Sequence, residues 1–187
     1  YQDVLASNAE ELERLSRTIA DMLFLAKADN HLIVPTQEPV DLEAEISSML
    51  EFYEPLIEEK YLKLTFLGHA EVDGDRLMLR RAVGNLLSNA IRHTPEDGFI
   101  NIALENDGEK VSIRIENSGE TIPSEHLPRL FDRFYRVDSS RQRTGEGSGL
   151  GLAITKSIAL AHNGSVSVCS MDGVTSFSLG LPARRSF

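Results

Sequence analysis

Residues 145 to 152 read GEGSGLGL, with Gly145, Gly147, Gly149 and Gly151 on alternate positions, and run straight into AITKSIALAHNG, which has helical spacing. Glycine gives up more conformational freedom on folding than any other residue, so a row of them needs a physical reason. Close approach of the backbone to a ligand supplies one, and a helix N-terminus directly behind the loop suits an anion. Arg129, Arg133, Arg136, Arg141 and Arg143 crowd just upstream, in a chain whose formal net charge is -10. Alone, such a run reads equally well as a solvated face balanced by Asp132 and Asp138. Beside a glycine loop it points to a phosphate-bearing ligand.

Asn85, Asn89 and Arg92 lie at i, i+4 and i+7 and so share one face of a helix. Two carboxamides among Leu, Val and Ala need polar company. They can be a pair of buried amides bonded to protein, or an Asn oxygen can complete the shell of Mg2+, an ion that keeps several waters and leans on substrate phosphates. In the second case Arg92 or His93 would face those phosphates. Both readings stay open on the residues alone. In ENSGETIP, residues 116 to 123, Asn117 ends an alternating stretch just before Gly119. That pattern is either a simple turn or a polar strand end reading the edge of a base. Phe131 and Phe134 read as core packing. His31, His69, His126 and His162 have no partner at metal-ligand spacing and carry no expected catalytic role.

The elements that must position these groups follow from periodicity. Residues 1 to 29 carry a heptad stripe of Leu5, Leu12, Leu15, Ile19, Met22 and Ala26, which predicts one long amphipathic helix in need of a partner. Pro35 and Pro39 place a linker over 31–39. Asp41 can cap a helix to about Lys60, bent or shortened at Pro55, and Asp75 can cap another that ends before Pro95. LKLTFLG alternates as a strand. FINIALEN with KVSIRIEN, and SVSVCS with TSFSLGL, read as two hairpins. A short helix is expected near 124–135, and another from the glycine loop to about His162. The expected architecture is an α/β sandwich with helices on one face of a sheet.

Composition sets bounds. At 187 residues, with 41% hydrophobic and 26% charged residues, one domain with a real core and a short appendage is expected. The net charge argues against a nucleic-acid partner. The single Cys169 excludes an internal disulfide and fits a reducing compartment. Tyr1 begins without Met or signal peptide and no run suits a membrane helix, so a cytoplasmic piece of a longer chain, without membrane contact of its own, is expected.

In this order and spacing the pieces resemble the ATP-binding domain of sensor histidine kinases, within the group that includes gyrase, the Hsp90 chaperones and mismatch-repair ATPases. NLLSNAIRHT resembles the family's N box, ENSGETIP its first glycine box, LPRLFDRFYR its F box, and GEGSGLGLAITKSIALAHNG its second glycine box. The resemblance covers residues 40–183, with 184–187 as a tail, while residues 1–30 resemble the second helix of the dimerisation and phosphotransfer hairpin.

The resemblance implies a Bergerat-type ATP-binding fold with a mixed sheet, and ATP with Mg2+ as cofactors. It implies that Asn89 ligates Mg2+ with Asn85 beside it, that Arg92 and His93 lie near phosphates and sugar, and that Arg136 and Arg143 meet the phosphates. Asn85 and Arg143 are the implied catalytic pair. Asn117, Gly119, Thr121 and Ile122 would line the adenine end, and Gly145, Gly147, Ser148, Gly149, Leu150 and Gly151 would cover the triphosphate.

Two departures from the family pattern stand out. Asn117 occupies the place of an Asp that accepts from the adenine amino group, so weaker nucleotide binding is expected. The phosphoaccepting histidine segment is missing, so the chain should bind ATP without phosphorylating itself. Its heptad stripe, lacking a partner helix, suggests loose self-association. In the ATP-hydrolysing branch a Glu base stands where this chain has Asn85, which disfavours hydrolysis. The pattern is closest to heavy-metal sensor kinases answering copper or silver. A response regulator, the protein's own phosphotransfer hairpin and a second subunit are the implied partners, and the full-length protein would sit in a bacterial inner membrane.

Overall fold

The structure, a computed structural model, describes residues 2–137 and 148–184, the side chains of 2–7 and 10 excepted. Helix α1, Gln2–Asp29, comes first. Strand β1, Glu38–Asp41, leads into helix α2, Leu42–Glu59, and then come β2, Lys63–Leu67, and β3, Glu71–Gly74. Helix α3, Arg76–His93, is followed by the long strands β4, Phe99–Asn106, and β5, Lys110–Ser118. Helix α4, Gly151–Ala161, precedes β6, Ser165–Met171, and β7, Val174–Pro182.

Five strands form one mixed sheet in the order β2-β4-β5-β7-β6, in which β2 runs parallel to β4 and the remaining pairs are antiparallel. Alternation explains its two faces. Ile100, Ile102 and Leu104 of β4, Val111, Ile113 and Ile115 of β5, and Phe177, Leu179 and Leu181 of β7 are all buried. Successive strand residues point to opposite faces, so these nine share one side. There they meet Leu79, Val83, Leu86 and Leu87 of α3 and Ile154 and Ile158 of α4, in one continuous core. This is the two-layer α/β sandwich expected from the pattern.

Local chemistry sets the helix ends. Asp41 caps α2 by accepting from the Ala44 N–H at 3.1 Å, and Asp75 caps α3 by accepting from the Met78 N–H at 3.0 Å. Side-chain oxygens there satisfy N–H groups that the helix itself leaves unpaired. Asn163, with φ 57, and Gly164 end α4 as expected. Glu45, buried on α2, takes Arg76 Nε and Arg80 Nη1 of α3, each at 2.5 Å, and locks the two helices side by side.

Three details depart from the sequence reading. Strand β1 starts inside the segment expected as linker, pairing antiparallel with β3 so that Pro39 faces Asp73. Proline is tolerated there because the strand has only one partner and needs no donor on its far side. Helix α2 reaches Glu59, the end expected, so Pro55 does not shorten it. The helix expected near 124–135 is a single 3-10 turn, Leu127–Arg129, among successive tight turns. Phe131 packs edge-on against Phe177, with ring centroids 6.2 Å apart, but Phe134 is 55% exposed at φ 60 and is not a core residue.

Helix α1 docks by its C-terminal half. Leu25 is buried, Asp21 pairs with Arg81, whose guanidinium lies over the Phe24 ring at 4.6 Å, and Asp29 pairs with Arg133. Further toward the N-terminus, Leu12, Leu15, Ile19 and Met22 remain exposed.

Candidate ATP-binding site

The face of α3 that carries the two carboxamides is turned toward the start of α4. Asn85 donates through Nδ2 to the Gly151 carbonyl at 2.9 Å, and Thr155 Oγ1 donates to the same oxygen at 3.0 Å. A Cβ on Gly151 would meet the Asn85 side chain at 3.4 Å, a van der Waals contact, so the two elements touch here. One turn on, the half-buried Asn89 carboxamide bonds to no described residue, and Arg92 is exposed at the end of the same row. Arg92 lies close enough to Tyr53 to act on its hydroxyl, whose pKa burial raises and the guanidinium partly lowers.

Helix α4 begins at Leu150, which has no side-chain cap bond. Its first N–H groups are therefore left for water or an anion, where the helix dipole favours negative charge. The Leu150 side chain itself is fully buried, so any ligand contact from this residue must come from its backbone. Gly149, at φ 70, takes a left-handed conformation that only glycine adopts cheaply. Its carbonyl accepts from the Phe134 N–H at 3.0 Å, and a Cβ would come within 3.0 Å of Phe134 Cα. Phe134 thus serves through its backbone, and Arg136, two residues on, is exposed. Ser148 is exposed as well. Of the upstream arginines, Arg129 stacks over Tyr135 at 4.4 Å and Arg133 pairs with Asp29. Arg143, Gly145 and Gly147 lie outside the described residues.

Beside the same C-terminal end of α3, Asn117 is 3% exposed near the end of β5, in register with Ile100 on β4 and Thr175 on β7. Its Nδ2 donates to the Ser118 carbonyl at 3.1 Å. Gly119 sits where a Cβ would fall 2.8 Å from the His93 carbonyl, so its smallness joins the first glycine box to the last turn of α3. The Gly119 N–H donates to the Gly173 carbonyl at 2.9 Å, and the Gly173 N–H donates to Thr121 Oγ1 at 2.8 Å. Ile122 N–H donates to Ser170 Oγ at 2.9 Å, which in turn meets Thr175 Oγ1 at 2.8 Å. The polar groups of Thr121 and Ile122 therefore fasten the loop to the β6–β7 turn. Thr175 lies beside Asn117 in the sheet and opposite Ser170 on β6. Neither stands out in the sequence, where both read only as hairpin residues.

The donor set suits a nucleotide with Mg2+. Among the described residues no group of three His, Cys, Asp or Glu side chains could hold a metal. A carboxamide such as Asn89, together with phosphate oxygens and water, is the kind of shell Mg2+ accepts. His162, with no catalytic role expected, is buried at the far end of α4, where Nδ1 bonds to the Ile158 carbonyl at 2.8 Å and Nε2 accepts from the Asp75 N–H at 3.0 Å.

Residues 74–185 match the family described as histidine kinase-, DNA gyrase B- and HSP90-like ATPase. The chain belongs to that family. Sensor histidine kinase CusS of Escherichia coli strain K12 is 51% identical over 183 residues, 97% of this chain and 38% of CusS. Probable sensor kinase SilS of Salmonella typhimurium is 49% identical over 186 residues, 97% of this chain and 37% of SilS. The chain thus spans well under half the length of these relatives. The structure of the Acinetobacter baumannii histidine kinase AdeS superposes with a TM-score of 0.83 at 22% identity, covering 99% of this chain and 86% of that one, a likeness of fold.

Proposed function

We propose that this chain is the catalytic part of a two-component sensor kinase, binding ATP with Mg2+ and presenting the γ-phosphoryl group to a histidine on a separate phosphotransfer helix. The observation that carries this reading is the Asn85 bond to the Gly151 carbonyl. It sets one carboxamide face directly against one uncapped helix N-terminus. A triphosphate there would meet the α4 amides, Arg92 and Arg136, while Asn89 would contribute to the Mg2+ shell. Arg143, Gly145 and Gly147 would close over it. The adenine would lie toward Asn117 and Thr175. Bound Mg2+ neutralises phosphate charge. The protein supplies position and hydrogen-bond donors, and these account for most of the catalysis in phosphoryl transfer. Asn85 stands where a hydrolytic branch would need a carboxylate base, which favours transfer to protein over transfer to water.

The similarity to CusS and SilS supports a metal-ion signalling role, with copper or silver as the stimulus of the full-length protein, a membrane anchor outside these residues and a response regulator downstream. Among the described residues no helix is long and apolar enough to cross a membrane. To test the reading, the chain is mixed with labelled ATP, Mg2+ and a catalytically dead fragment that retains the hairpin histidine. Label on that histidine is the expected result. Free phosphate without labelled protein would indicate an ATPase instead, and bound nucleotide with neither product would indicate a scaffold.

A further inference from the structure

The last turn of α3 carries Arg92 and His93 and ends against Gly119, yet a residue from another element holds it in place. Lys60, which caps the C-terminus of α2, sends its Nζ to the carbonyls of Ile91 at 2.8 Å, Arg92 at 3.2 Å and Thr94 at 2.9 Å. Three acceptors use the full donor capacity of an ammonium group. A positive charge at a helix C-terminus also complements the helix dipole. The Lys60 backbone joins the same seam, since its carbonyl accepts from the Asp97 N–H at 3.0 Å, and the Lys63 N–H donates to the Gly98 carbonyl at 2.9 Å. Buried Thr94 donates its N–H and its Oγ1 to the Ala90 carbonyl at 2.9 and 2.6 Å. The terminal carbonyls of Ala90, Ile91, Arg92 and Thr94 are thus all held, and that of His93 faces Gly119.

We infer that Lys60 is a positioning residue for the nucleotide. By pinning the end of α3 it fixes where Arg92 and His93 stand, and through the His93 carbonyl it sets the depth of Gly119 beside the adenine end. The inference rests on the ATP-site reading above. Lys60 touches no ligand itself, because its three donors are consumed by the α3 carbonyls. Removing the ammonium would leave three helix-end carbonyls without their shared partner and let the last turn unwind, which carries Arg92 away from the phosphates.

Calorimetric titration with ATP and Mg2+ tests this on the whole chain. Lys60→Met keeps the aliphatic stem and loses every donor, and its Kd should rise about tenfold, the scale seen when a supporting partner of a ligand-binding group is lost. Lys60→Arg restores a cation with several donors and should recover most of that affinity. Arg80→Met weakens the distant Glu45 lock without touching the end of α3, and should stay within about twofold of the parent, as an uncoupled site does. If Lys60→Met does not fold, Lys60→Gln takes its place, and parent affinity in that variant overturns the inference. Unchanged affinity in Lys60→Met, or equal loss in Arg80→Met, also overturns it while leaving the ATP site intact. Failure of the parent chain itself to bind ATP would instead overturn the site reading.

Discussion

Asn117 lies 3% exposed in the sheet, its amide nitrogen occupied by the Ser118 carbonyl. A neutral carboxamide can present its oxygen to an exocyclic amine, but the hydrogen bond is weaker than one to a carboxylate by about 1 kcal/mol. Asn117→Asp should therefore tighten ATP binding roughly five- to tenfold by calorimetry. The same change places a carboxylate beside the Ser118 carbonyl in the ligand-free state, so its melting temperature without ATP should fall. Tighter binding by the parent chain would contradict the assignment of Asn117 to the base. Asn85, Asn89 and Arg92 are legible in the sequence because helical spacing alone puts them on one face. Thr175 and Lys60 are not, since their roles arise from strand register and from partners more than 30 residues away.

Helix α3 depends on Asp75 for its beginning. The carboxylate accepts from the Met78 N–H at 3.0 Å and from Thr36 through both the hydroxyl, at 2.6 Å, and the N–H, at 3.3 Å. Burial pushes its pKa up, but the Thr36 hydroxyl, the Met78 and Thr36 N–H groups and nearby His162 outweigh it, holding the group below the ordinary carboxylate value. Asp75→Ala should cost about 1 to 2 kcal/mol near neutral pH, the usual loss of an N-cap, read from urea unfolding. Because the folded pKa is depressed, this charge contributes its full stability above an unfolded value near 3.8 and loses it as pH falls through the lower folded value. The gap between parent and variant should narrow below about pH 4. Caps, alternation and the Asp107-Gly108 turn make most elements readable in advance. Strands β1 and β3 are not, because four residues carry too little alternation and Pro39 argues against a ladder until its single-sided pairing is known.

At the scale of the whole molecule, α1 divides in two. Its C-terminal half is committed to the domain through Leu25, Asp21 and Asp29, whereas Leu12, Leu15, Ile19 and Met22 lie open along one stripe. An amphipathic face of this kind gains stability only by meeting another. Sedimentation of the chain should show concentration-dependent association, and replacing Leu12, Leu15 and Ile19 together by Gln should abolish it while leaving ATP affinity unchanged. Association that persists in the triple variant would place the contact elsewhere. The heptad stripe is plain in the sequence, but the point where docking ends is not, since it depends on the Arg81 and Arg133 side chains that receive the helix.

The main sheet also shows where length can vary. The chain leaves the sheet after Ser118, returns to it as β6 at Ser165, and begins β7 at Val174, which lies opposite Ser118 in register. Gly119 and Gly173 tie the neck at 2.9 Å. That neck is fixed by Ser118, Gly119, Gly173 and Val174, so residues added to or removed from the stretch between Arg136 and Ser148 leave its spacing unchanged. The entropic cost of a longer loop grows only logarithmically with its length. Length in that stretch can thus differ among relatives without moving Gly119 or Gly173.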